Sequence, residues 1–160
     1  MHLKDIIFED FVNYWRPSMF VICGNCDGKC WVEQKLPPTT CQNHGLNKLK
    51  DIYVSSDNLI KQYINNPIVN SIVFGGLEPM TVFDDIYNFT EKLRATGCLD
   101  DVVIYTGFYP DEIEEQLKKI APLGNIIFKF GRYVPGDEPH YDDVLGIKLA
   151  SNNQWGEKIS

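Results

Sequence analysis

A chain of 160 residues with 44% hydrophobic and 23% charged side chains has the size and composition of one globular domain with a single core, spanning 1–160. Its net charge of −7 and its lack of any Lys/Arg run exclude nucleic acid as the primary partner. Asp5, Glu9 and Asp10 interrupt the apolar residues of the N-terminal segment, which does not read as a signal peptide, and no apolar stretch reaches membrane-spanning length. Five cysteines, an odd number, without an export signal point to reduced, metal-binding thiols in the cytoplasm rather than disulfides.

Met19–Cys23 is an apolar run that predicts a buried strand leading directly into a cysteine-rich stretch. Residues 24–50, with Pro37-Pro38 and many polar side chains, read as one long functional loop. A strand is expected over 51–54. A helix should follow, capped by Ser55 or Ser56, with Leu59, Ile60, Tyr63 and Ile64 on one face, stopping before Pro67. Ser71–Phe74 predicts a strand buried on both faces. Val82–Thr96 predicts a helix facing inward through Phe83, Ile86, Phe89 and Leu93, with Gly97 at its C-terminal cap. Asp101–Thr106 predicts a strand. Pro110 then opens a helix with Asp111, Glu112, Glu114 and Glu115 near its start, facing inward through Ile113, Leu117 and Ile120 and ending at Gly124. Asn125–Phe130 predicts a further strand, and the tail from Gly131 reads as loop with a short element at 145–149. This alternation implies an α/β fold with right-handed βαβ units and a mostly parallel sheet.

The cysteines carry the chemistry. Cys23-Gly-Asn-Cys26-Asp-Gly-Lys-Cys30 and the later Cys41 place four thiols within the first 41 residues. Clustered thiolates select iron–sulfur clusters or zinc. A zinc ribbon needs a second Cys pair, which is missing, although Cys30, Cys41 or His44 would complete a tetrahedron with the Cys23-x2-Cys26 knuckle. A second element, Ser71-Ile-Val-Phe-Gly75-Gly76-Leu-Glu78-Pro79, ends a predicted strand in a glycine turn. Both elements follow strands, so both belong at the carboxyl edge of the sheet, where ligands bind.

Cys26-Asp-Gly-Lys-Cys30 resembles the first half of the CxxxCxxC signature of radical S-adenosylmethionine (SAM) enzymes, and Gly75-Gly76-Leu-Glu78-Pro79 is similar to their GGEP motif. At this length the chain most resembles the activating enzymes of anaerobic (class III) ribonucleotide reductases. Val103-Ile-Tyr-Thr-Gly107, Gly131-Arg132-Tyr133 and Ser151-Asn-Asn-Gln154 are similar to that family's LYTG, DGRF and SSNQ segments. The resemblance implies an open, partial (βα) barrel holding a 4Fe-4S cluster on Cys26, Cys30 and Cys41. Ten residues rather than two separate Cys30 from Cys41, and Cys23, Cys26 and Cys30 form the rival triad. It also implies SAM over Gly75 and Gly76, which let ligand approach the backbone, with Glu78 accepting from its ammonium group. The activity implied is reductive cleavage of SAM to a 5′-deoxyadenosyl radical that abstracts hydrogen from a glycine of the large reductase, with flavodoxin or ferredoxin as electron donor. Leu77 is inserted in the GGEP motif, Lys129 stands where relatives carry an acid, and residues 1–18 lack the family pattern.

Other features have plainer readings. Cys98, after a helix cap, reads as an ordinary thiol, Cys23 as a strand-end residue and His44 as a surface residue. Tyr105, Phe108, Tyr109 and Tyr133 read as core packing, and Asp111–Glu115 as a solvated helix start. Two other functions remain open: a radical SAM enzyme acting on another protein or small molecule, and a non-catalytic iron–sulfur or zinc module. The glycine turn discriminates, because an electron carrier has no need of a SAM cleft.

Overall fold

The computed structural model describes residues 1–160. The first half contains β1 (His2–Asp10), β2 (Ser18–Cys23), a single helical turn α1 (Lys29–Val32), β3 (Ile52–Tyr53), α2 (Ser56–Ile64) and β4 (Ser71–Gly75). The second half contains α3 (Phe83–Ala95), β5 (Asp101–Tyr105), α4 (Glu114–Ile120), β6 (Ile126–Phe130), β7 (His140–Asp142), β8 (Ile147–Leu149) and β9 (Trp155–Lys158). Seven strands form one sheet in the order β3-β1-β2-β4-β5-β6-β9, and β7 and β8 pair as a separate hairpin.

The apolar runs become the centre of this sheet. β2, β4, β5 and β6 pair in parallel, and every residue of β2, β4 and β6 is buried. β3 is antiparallel to β1, which is antiparallel to β2, so five of the seven strands run one way and only β1 and β9 oppose them. The expected α/β domain with a mostly parallel sheet is present. The sheet stays open at β3 and β9 and does not close into a barrel.

The order β2-β4-β5-β6 follows the chain without reversing. Successive right-handed crossovers in one direction place every helix on the same face. Accordingly Leu59 and Ile60 of α2, Ile86, Phe89 and Leu93 of α3 and Ile120 of α4 pack on Val21, Ile72, Phe74, Ile104 and Phe128 in one core. Phe89 meets Phe74 edge-on at 5.4 Å; burying one such ring contributes about 1.5–3 kcal/mol. The alternate residues, Phe20, Ile22, Val73, Val103 and Ile127, face the other way and are covered not by an α-helix but by Tyr14, Leu46, Leu145, Ile147 and Leu149 from loops and the β7–β8 hairpin.

Helix signals behave as the sequence implies at α2, where the Ser55 side chain accepts from the Asn58 N–H, and at the end of α3, where Gly97 has φ +86°. The helix expected from Pro110 is instead two pieces. A 3-10 turn over Pro110–Glu112 is followed by α4, because Ile113 adopts φ −135° and ψ 28° and interrupts the helical path. Strands β1, β7 and β9 form where the sequence carries no strand pattern. In β1 the register with β2 shifts between Leu3 and Asp5 and again between Ile7 and Asp10, which erases the period-two pattern that would announce a strand.

Candidate functional site

Because β2, β4, β5 and β6 are parallel, the loops after Cys23, Gly75, Tyr105 and Phe130 all emerge at one edge. There they surround a cleft of about 350 Å³ over the helix-free face of the sheet. Cys26, Cys30 and Cys41 line it, together with Gly76, Glu78, Tyr105, Thr106, Gly107 and Lys129. Ile147–Ala150 of the β8 region form the far wall.

Glu78 is the organising side chain. It is only 6% exposed. Its Oε1 accepts from the Met80 N–H at 3.0 Å and the Thr106 hydroxyl at 2.7 Å, and its Oε2 accepts from the Gly107 N–H at 2.9 Å. Burial pushes its pKa up, and these three donors oppose that shift. The Glu78 N–H donates to the Asn25 carbonyl at 2.9 Å, so the glycine turn is tied directly to the cysteine loop. Gly107 closes the arrangement: a Cβ there would stand 3.3 Å from Cys30 Sγ and 3.4 Å from Glu78 Oε2. Gly76 lines the cleft in the left-handed region at φ +77°, yet a Cβ on it would strike Ile22 Cγ2 at 2.7 Å rather than enter the cleft. Gly75 lies in the strand between Phe20 and Tyr105 and is not part of the wall.

The cysteine loop is anchored by charge and amide contacts. Gln34 donates to the Cys30 carbonyl and, at 2.9 Å, to the Tyr133 carbonyl. Arg132, 5% exposed, pairs through Nη2 with Glu112 at 2.7 Å and through Nε with Glu33 at 2.6 Å, and donates to the Gly107 carbonyl at 3.1 Å. Asn153 donates to the Arg132 carbonyl and Gln154 to that of Gly131, so the Ser151–Gln154 and Gly131–Tyr133 stretches, weak signals apart, form one contact.

Burial pushes the Cys26 thiol up to about 11, with an opposing hydrogen bond from the Gly28 N–H to its sulfur at 3.4 Å. Burial likewise raises Cys30, opposed by a backbone hydrogen bond from Tyr133. Lys129, 9% exposed, is pushed down to about 8 by burial, while Cys30 and Glu78 pull it back up. A soft ion entering the cleft therefore displaces thiol protons.

The placement of the sequence candidates divides cleanly. Cys26, Cys30, Cys41, Gly76 and Glu78 meet in the cleft. Cys23 is fully buried under the helices, His44 lies outside the cleft wall, and Cys98 lines a separate cavity with Tyr63 and Asp100 at the start of β5. Tyr105 and Tyr133, read as core, line the cleft. No three His, Cys, Asp or Glu side chains stand close enough to share a single ion. Sequence reasoning missed Lys129, Thr106, Gly107 and Arg132 as site residues, although the LYTG-like and DGRF-like stretches contain the last three. Comparison with family models, with curated proteins and with solved structures finds no significant match to this chain.

Proposed function

We propose that this protein is a radical SAM activating enzyme with an open partial-barrel sheet. It binds a four-iron cluster through Cys26, Cys30 and Cys41, takes SAM in the cleft beside Gly76 and Glu78, and generates a glycyl radical on an anaerobic ribonucleotide reductase. One observation carries the reading. Of five cysteines, the three whose pattern resembles the signature are the three that line the cleft, next to the turn that resembles GGEP. The donor set fits the cluster: three soft thiols on one cleft are matched to iron–sulfur chemistry. Thiolates of a cubane bind different irons, so they stand farther apart than donors sharing one ion. A cleft of about 350 Å³ also lies within the range of small-molecule sites.

When bound, the cluster and SAM supply one-electron cleavage of a sulfonium C–S bond. The chain's own residues hold and shield them. The Gly28 N–H favours the anionic form of Cys26, and the Lys129 ammonium that of Cys30. Glu78 fixes the relative position of the turns after β4 and β5 through its hydrogen bonds from Thr106 and Gly107. The β7–β8 hairpin screens the helix-free face from water. The reductase glycine would be presented at the cleft mouth, flanked by residues 31–50 and 131–143, with flavodoxin or ferredoxin supplying the electron.

Anaerobic reconstitution tests this. About four irons and four sulfides should bind per chain, and Cys26→Ser, Cys30→Ser and Cys41→Ser should each abolish the cluster while Cys23→Ala retains it. With SAM, reductant and the reductase, a glycyl doublet should appear in electron paramagnetic resonance, with 5′-deoxyadenosine in proportion. Colourless protein holding only zinc overturns the reading. An intact cluster that never cleaves SAM under strong reduction points instead to an electron-transfer module.

A further inference from the structure

We propose that the loop 11–16 and the neighbouring turn 143–146 form a docking surface for the substrate protein, which would meet them with an apolar patch flanked by basic side chains; the proposal rests on the function proposed above, in which the cleft acts on a macromolecule. Phe11, Val12 and Trp15 are 62%, 74% and 56% exposed. Ile7, also exposed, stands directly opposite Phe20 in the β1–β2 register and so shares its helix-free face. Val144, exposed again, adjoins Leu145, whose carbonyl accepts from the Trp15 N–H at 3.0 Å. The cover of the helix-free face therefore stops short of β1. Apolar side chains exposed singly are ordinary, whereas a group of them on one side of the molecule marks an interaction site.

The loop is held in place although its apolar side chains are not. The Asp10 carboxylate accepts from the Asn13 N–H at 2.9 Å and from Asn13 Nδ2 at 3.0 Å. Gly146 lies so close that a Cβ there would stand 2.5 Å from Trp15 Cβ. The Arg16 guanidinium sits 4.5 Å from the centre of the Trp15 ring and pairs with Asp101 at 3.1 Å. A half-exposed tryptophan fixed at its backbone, its Cβ and its ring has the makeup of an interface anchor, preorganised for binding. Charge selects the partner. Asp5, Glu9 and Asp143 are exposed in the same segments, and the cation of the loop, Arg16, is engaged by Asp101. A second copy would bring these acids against their own images, and an anionic membrane would repel them. Lys or Arg around an apolar centre removes both penalties. Position selects the partner's role. Val12 and Asn13 line the cleft, and Tyr105, another lining residue, donates its hydroxyl hydrogen to the Asn13 carbonyl. A protein seated on loop 11–16 therefore abuts the cleft and leads a segment of itself into it.

Anaerobic calorimetric titration of the reconstituted protein with its cognate reductase tests this. Phe11→Ser and, separately, Trp15→Ala should each weaken binding by about tenfold or more. Phe11 belongs to neither core cluster, so Phe11→Ser remains a fair test should Trp15→Ala fail to fold. Wild-type affinity should fall as salt rises, and Glu9→Lys combined with Asp143→Lys should weaken binding and flatten that dependence. Wild-type affinity in Phe11→Ser overturns the surface, as does a wild type that does not bind the reductase. A charge-reversed protein with wild-type affinity and salt dependence overturns the choice of a basic partner. A dimer in sedimentation equilibrium of the protein alone that Phe11→Ser abolishes assigns the patch to a second copy instead, and Phe11-dependent binding to phosphatidylserine vesicles assigns it to a membrane; either result overturns the proposal. Failure of the underlying function reads differently. Phe11-dependent binding of the reductase without SAM cleavage keeps the docking surface and removes the radical reading. A glycyl radical formed by Phe11→Ser with wild-type affinity and rate removes the surface and keeps that reading.

Discussion

A buried carboxylate depends on every donor that reaches it, and Glu78 has three. Thr106 is the one that can be deleted without touching the backbone: Thr106→Val keeps the shape and removes the hydroxyl that donates to Oε1 at 2.7 Å. The same hydroxyl accepts from the Phe108 N–H at 3.0 Å, so the variant leaves a buried acceptor short and a backbone donor unpaired. We expect Thr106→Val to cost about 1–3 kcal/mol, read as a lower midpoint in urea denaturation at pH 7. An unchanged midpoint would show that water replaces the hydroxyl and that Glu78 is less enclosed than its 6% exposure implies. At this scale the sequence was legible where residue type itself is rare. Thiols with x3 spacing and a double glycine followed by Glu announce themselves. Lys129 does not, because within the apolar run Ile126–Phe130 a lysine reads as the solvent-facing member of a strand. It is buried in a cleft whose lining also includes Cys41 and Ile147–Ala150, segments that a strand pattern over 126–130 does not reveal. Gly107 was likewise invisible, since its small size matters only because Cys30 and Glu78 arrive from other strands.

Between elements, the ties around Arg132 make stability depend on acid. Glu112 is held down to about 2, mainly by hydrogen bonds from the Arg132 guanidinium, against the opposing effect of burial. Its unfolded value is about 4.3. A carboxyl whose folded pKa lies below its unfolded one contributes stability that is fully present above the unfolded value and is lost as pH falls through the folded one. The melting temperature should therefore fall between about pH 5 and pH 2, and Glu112→Gln should flatten that part of the profile while lowering stability at pH 7. A variant with the wild-type acid profile would assign the loss to other carboxylates. Element type was readable wherever burial is two-sided, as in β2, β4, β5 and β6, or where a cap is explicit, as at Ser55. It was not readable in β1 and β9, which are partly exposed and run against the central strands. Nor did the break at Ile113 show in the sequence, where the spacing of Ile113, Leu117 and Ile120 suits an unbroken helix.

Across the whole molecule, order is distributed unevenly, and the unevenness bears on which thiols act together. The sheet and its helices form one core of 22 buried residues, whereas no residue from Trp31 to Lys50 is buried. The backbone hydrogen bonds of residues 35–49 are local, such as Thr40 to Pro37, His44 to Cys41 and Leu49 to Leu46. The hydrogen-bonding anchors of this region are side chains near its ends: Gln34 on the Tyr133 carbonyl, Glu33 on Arg132, and Lys4 on the Leu49 carbonyl at 3.0 Å. Segments held in this way open at low free-energy cost and are cut first by proteases. Trypsin should therefore nick the metal-free protein at Lys35, Lys48 or Lys50 before any site in the sheet. Cys41 lies in the middle of this stretch, and Cys26 and Cys30 lie before it. Ligation through Cys26, Cys30 and Cys41 would pin the loop at its centre, so reconstituted protein should resist these cuts by about tenfold or more, the effect of roughly 1.4 kcal/mol of local stabilisation. Ligation through Cys23, Cys26 and Cys30 would close a ring that ends before Trp31 and leave the loop as open as before. Equal cleavage rates with and without an intact cluster, followed by mass spectrometry of the fragments, would therefore remove Cys41 from the ligand set even if every spectroscopic signature of the cluster were present.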